Sequence, residues 1–130
     1  ERGSKTAVGG PEIDRRAEEA NNWPADMYYV CHTNAFDGTK KDSRTYVDST
    51  DATAVRWANK VVEWRNTIYP YGSSVKYNVY YEDTVTNMPC VYDEVVFHDN
   101  INSVSFFHNN MANMALNTAY AIREIYDNQI

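Results

Sequence analysis

SVKYNVYYEDTVTNMPCVYDEVVFHD occupies residues 74–99, and the pairing of its two aromatic-rich runs decides the fold. In the first run Val75, Tyr77, Val79 and Tyr81 alternate with Lys76, Asn78, Tyr80 and Glu82, the two-residue period of a half-buried strand. The second run, residues 90–98, is dense in Val and aromatic side chains and reads as another strand. Only the turn-like TVTNMP separates the two, and so short a connection predicts an antiparallel hairpin in the middle of a sheet.

Helices are expected on both sides of this hairpin. Downstream, residues 100–130 place Val104, Phe107, Met111, Met114, Thr118, Ile122 and Ile125 on one helical face, capped by Asn102 or Ser103. No Asp, Glu, Lys or Arg occurs from Ile101 to Ile122, and Ser105, Asn109, Asn110, Asn113 and Asn117 make the polar face. Upstream, residues 48–72 hold Ala54, Trp57, Ala58, Val61, Trp64 and Ile68 at spacings of three and four. Ser49, Thr50 and Asp51 are candidate caps, and Pro70 and Gly72 lie just past the end. Before this helix, MYYVCHT at residues 27–33 reads as a first strand, and TYV at 45–47 as a short further one.

The order β-α-β-β-α, with the extra strand at 45–47, predicts an α+β fold. Its simplest form is a two-layer α/β sandwich, an antiparallel sheet of three to four strands with two helices packed on one face. Residues 26–130 make the single folded domain. Residues 1–25 are charged, contain Gly9-Gly10-Pro11 and offer almost nothing apolar before Trp23, which predicts a mobile tail. Arg15 and Arg16 in it form a candidate dibasic processing site, and a start at Glu1 rather than Met is expected to follow removal of an upstream segment.

Composition narrows the function. The net charge of −6, from 18 acidic and 12 basic side chains, argues against nucleic-acid binding by phosphate neutralisation. No run of apolar residues is long enough to span a membrane. Eleven tyrosines, three tryptophans and four phenylalanines suit strands and contact surfaces.

The chemistry turns on Cys31, His32 and their partners. Cys31 and Cys90 are the only two cysteines, so one disulfide is possible, and in the chain-entropy model it would add roughly 4 kcal/mol. A metal centre is not expected, because the Cys and His residues show no C-x-x-C or H-x-x-x-H spacing and neighbours such as Cys31 and His32 point to opposite faces of a strand. The same alternation argues against a Cys31–His32 nucleophile pair. A candidate acid–base site is Glu94 with His98, which share side-chain parity, joined by His32 and a basic residue, Arg44 or Arg56. The alternative is that Asp93, Glu94 and His98 form a solvated strand face.

The single Cys pair, the segment bearing Arg15-Arg16, the element order and the nearly uncharged helix SVSFFHNNMANMALNTAYAI (103–122) together resemble small secreted α/β proteins of fungi, the killer-toxin-like and plant-pathogen effector type. The resemblance spans residues 26–130 and carries no catalytic residue with it. It implies a secreted, extracellular, non-enzymatic effector or toxin that binds a protein of a host or competitor and needs no cofactor. Two other expectations stand beside it. One is a small secreted ribonuclease or other hydrolase using Glu94 and His98. The other is a subunit of a heteromeric complex that meets its partner through the C-terminal helix, with Asn109, Asn110, Asn113 and Asn117 as the contact.

Overall fold

The computed structural model describes residues 11–130. Its elements run α1 (Pro11–Asn22), β1 (Tyr28–Asn34), β2 (Ser43–Val47), α2 (Ala52–Arg65), β3 (Ser73–Tyr77), α3 (Tyr81–Val85), β4 (Cys90–Phe97) and α4 (Ile101–Asp127). The four strands form one sheet in the order β1-β4-β2-β3. β1 runs parallel to β4, β4 antiparallel to β2, and β2 parallel to β3, so this is a mixed α/β sheet and not the antiparallel one expected.

The hairpin reading fails for a local reason. β3 stops at Tyr77, and Asp83 then captures the Tyr80 backbone N–H at 2.6 Å, closing the first turn of α3. The Tyr80 ring stacks on Tyr92 with centroids 4.2 Å apart. Its aromatic character therefore serves a contact between layers, which alternation alone does not distinguish from a strand position. With α3 interposed, β3 takes the sheet edge and β2 sits between it and β4. All eight residues of β4 are buried, which is the condition of a central strand covered on both faces.

One face of the sheet carries α2 and α4. Asp51 caps α2, its Oδ1 accepting from the backbone N–H groups of Thr53 and Ala54, both at 2.9 Å. The helix buries Ala54, Trp57, Ala58, Val61 and Arg65. The first three pack with Val47, Val91 and Ile125 in one apolar cluster, while Tyr69, Val95, Val96 and Met114 form a second. Full burial of each such large aliphatic or aromatic side chain is worth about 1.5–3 kcal/mol. In α4 the buried stripe is Ser103, Met114, Asn117, Ala121 and Ile125, turned from the stripe of larger apolar residues read from the sequence. Asn100 caps α4 through Oδ1. At Asn110 the helix leaves helical geometry, and the Asn110 side chain donates to the Phe106 carbonyl at 2.9 Å.

The opposite face meets α3 and α1. Residues 11–22, read from the sequence as part of a tail, form a helix whose Ile13 and Ala17 are buried. Two apolar residues give too weak a period to show in the sequence. Polar contacts complete the docking: Tyr81 donates to Asp14 at 2.6 Å, and Asn21 donates to the Val85 carbonyl at 2.9 Å. Arg15 and Arg16 lie within this helix; residues 1–10 of the expected tail are outside the described residues.

The disulfide is also corrected, since no bond joins Cys31 to Cys90. Register explains why. Cys90 lies opposite Tyr28 and Cys31 opposite Asp93, three steps apart, which is about 10 Å along a strand. A disulfide needs Cα atoms within about 7 Å. The two side chains also leave the sheet on opposite faces. Burial, with Asp83 next in effect, pushes the Cys90 thiol far above its ordinary pKa. No helix of the described residues is long and apolar enough to cross a membrane.

Candidate active site

Three polar side chains share one row across three strands. In register, His32 of β1 faces Glu94 of β4, and Glu94 faces Arg44 of β2. All three are on the face away from α2 and α4. Neighbouring strands are about 4.8 Å apart, so the imidazole and the guanidinium flank the carboxyl group from its two sides.

Glu94 is only 7% exposed, and its Oε2 has no hydrogen-bond partner. Burial raises its pKa above the ordinary carboxylate range, against the opposing pull of His32, Arg44 and an Asn34 hydrogen bond. A desolvated carboxyl with one uncommitted oxygen has the character of a general base or acid. His32 Nδ1 donates to the Thr33 carbonyl at 2.7 Å, which fixes the ring on β1. Its ring sits 5.6 Å from that of Tyr92. Arg44 is fixed from two directions, by Asp42 at 2.7 Å from Nε and by the Phe97 ring 4.9 Å from Cζ. Tyr92, Tyr80 and Tyr46 form an aromatic wall beside the row, and burial, then the charge of Glu94, pushes the Tyr80 hydroxyl up to about 12.

The structure brings together Glu94, His32 and Arg44, but not His98 or Arg56. Parity is preserved only along an unbroken strand, and here a β-bulge intervenes: His32 pairs with Glu94, but Asn34 pairs with Phe97. The extra residue in β4 brings Phe97 to the Arg44 side, and His98 falls beyond the strand end. His98 is exposed, with Nδ1 3.0 Å from Thr33 Oγ1. Arg56 lies on the exposed side of α2 and bonds Thr53. Of the α4 asparagines, Asn109 and Asn113 are exposed, whereas Asn117 is buried and donates to the Trp64 carbonyl of α2 at 2.9 Å. Asn110 is occupied at the kink.

A hydrolytic metal centre takes three protein ligands and keeps a fourth position open. His32 and Glu94 offer two donors at most, and among the described residues no group of three His, Cys, Asp or Glu side chains is assembled. The residues present do not make up such a ligand set.

Comparison with known proteins supplies the family. The family model for N-acetylmuramoyl-L-alanine amidase matches residues 3–124. No curated protein matches. Among solved structures, the catalytic domain of the amidase CwlV from Bacillus (Paenibacillus) polymyxa var. colistinus superposes with a TM-score of 0.79 at 21% identity, covering 92% of this chain and 68% of that one. The catalytic domain of the CD27L endolysin targeting Clostridia difficile gives 0.74 at 17% identity, covering 87% and 62%. Cwp6 from Clostridium difficile gives 0.78 at 17% identity, covering 86% and 20%. At these identities the three structures show a shared fold, and the chain spans about a fifth of Cwp6 and three fifths of the CD27L domain.

These findings overturn the resemblance to fungal killer-toxin-like effectors and, with it, the non-enzymatic reading; of the expected functions a hydrolase is the nearest. The match over residues 3–124 settles the family: the chain belongs to the N-acetylmuramoyl-L-alanine amidases.

Proposed function

We propose that this chain carries peptidoglycan amidase chemistry, hydrolysing the amide between the N-acetylmuramoyl group and L-alanine, with Glu94 as general base. The observation that carries the reading is the buried Glu94 carboxyl, with Oε2 uncommitted, in one row with His32 and Arg44. Glu94 accepts a proton from water as the water oxygen bonds to the amide carbon and the carbonyl electron pair moves onto oxygen. When the C–N bond breaks, that proton passes to the alanine nitrogen, which leaves as an amine, and a carboxyl group remains on the muramoyl side. His32, anchored through Nδ1 on Thr33, donates as an imidazolium to the developing oxyanion. Arg44 contributes positive charge that favours the ionised form of Glu94. A substrate in the cell wall places the working protein outside the cytoplasmic membrane, in keeping with the exported protein expected from the sequence.

The test is incubation with purified bacterial peptidoglycan and mass spectrometry of the soluble products. Stem peptides with a free N-terminal alanine are expected from the wild type and not from Glu94→Gln. Their absence from the wild type, or equal yields from both proteins, would refute the assignment.

A further inference from the structure

We propose that Asp93, clamped by Arg65 beneath the sheet, is the positioning residue that keeps Glu94 aligned between His32 and Arg44. The proposal rests on the assignment of Glu94 as the reacting carboxyl. Asp93 is 0% exposed and leaves β4 on the α2–α4 face, opposite to Glu94. Its Oδ2 accepts from Arg65 at 2.8 Å and from the Tyr29 hydroxyl, and its Oδ1 accepts from Thr45 Oγ1 at 3.1 Å. One carboxylate thus ties β4 to β1 through Tyr29, to β2 through Thr45 and to α2 through Arg65. Arg65 extends the clamp to Ser43 of β2 at 3.1 Å and to Thr118 of α4 at 3.0 Å.

Such a clamp answers a problem peculiar to β4. Register is strongly specified where one strand face is apolar and the other polar, because a slip of one residue exchanges the faces. β4 is buried on both faces and gives no such signal. A slip of β1 by one residue would bring Cys31 opposite Glu94 in place of His32. Because Cys31, Asp93 and Thr45 form the row adjacent to His32, Glu94 and Arg44, bonds made at Asp93 fix the next row about 3.3 Å away. Fixing register is the best-attested use of buried ionic groups.

Folding and positioning separate in the double variant Arg65→Leu/Asp93→Leu, which replaces the buried pair by apolar side chains and is expected to fold cooperatively. Its kcat for amide cleavage is expected to fall about tenfold or more with KM within about twofold, as for displacement of a reacting group. The acid limb of its pH–rate profile should also move. Wild-type kcat with an unmoved profile would overturn the proposal. Should the double variant not fold, Tyr29→Phe and Thr45→Val each cut one tie while leaving the Arg65–Asp93 pair. Lower kcat with a displaced profile supports positioning, and a lower melting temperature alone refutes it. If the wild type cleaves no peptidoglycan, the functional assignment fails independently. The Glu94 carboxyl titration followed by carbon NMR then decides positioning: a displaced midpoint in the variants supports it, and an unchanged one overturns it.

Discussion

Asp93 and Glu94 are consecutive carboxylates in one strand, both buried, and their surroundings are opposite. Asp93 meets a guanidinium and two hydroxyls, so each of its oxygens is engaged. Glu94 meets an aromatic wall, an imidazole and an arginine already tied to Asp42, and one of its oxygens is left over. The same chemical group is thereby fully engaged on one face and left with an unpartnered oxygen on the other. Sequence position does not make the difference, which lies in whether the fold satisfies the charge or leaves it poised.

The largest effects should come from removing the two carboxylates, with consequences that do not overlap. Glu94→Gln should lower kcat on peptidoglycan by about 10²–10⁴-fold, the usual worth of a general base, while the protein remains folded. Asp93→Ala leaves Arg65 charged, unpaired and 1% exposed, and should cost about 3–5 kcal/mol in urea unfolding. If Asp93→Ala were as stable as the wild type, or Glu94→Gln fully active, the contrast between the faces would break.

A smaller effect sharpens the contrast through pH. The pKa of Glu94 is raised in the folded state, so its protonated form favours folding. That contribution is complete below the ordinary carboxylate range and is lost as pH rises through the raised value. Gln does not ionise, so Glu94→Gln should match the wild type in stability at acid pH and exceed it at neutral pH, as read by thermal melts across pH. Smallest of all is the effect of reductant. Cys31 lies on the Asp93 face and Cys90 on the Glu94 face, so the melting temperature should be the same with and without dithiothreitol; a drop on reduction would mean that a covalent link joins the two faces.

Much of the fold was legible because local signals agreed with burial. The stripe Ala54, Trp57, Ala58, Val61 in α2 and the position of β4 follow directly from periodicity and apolar density. Sheet order was not legible, because TVTNMP is short enough for a hairpin yet includes the end of α3. Nor was α1, with two buried side chains in twelve residues. In the site, Glu94, His32 and Arg44 were visible as residues, but their meeting depends on the pairing of strands far apart in sequence. The bulge that displaces His98 leaves no mark in the sequence. Arg65 showed least of all, since a charged residue beside Trp64 reads as solvated until the Asp93 across the layer is known.

Among the described residues β1 is an edge strand with β4 as its one hydrogen-bonded neighbour, whereas β4 is held on both sides. The two halves of the site therefore differ in local stability. Backbone amides along the outer edge of residues 28–34 should exchange with deuterium early and those of residues 90–97 late, because opening one edge strand does not require the core to open. On the proposed assignment, opening of β1 would part His32 from Glu94 while leaving Glu94 beside Arg44, so exchange along β1 would also report how often the three residues stand together.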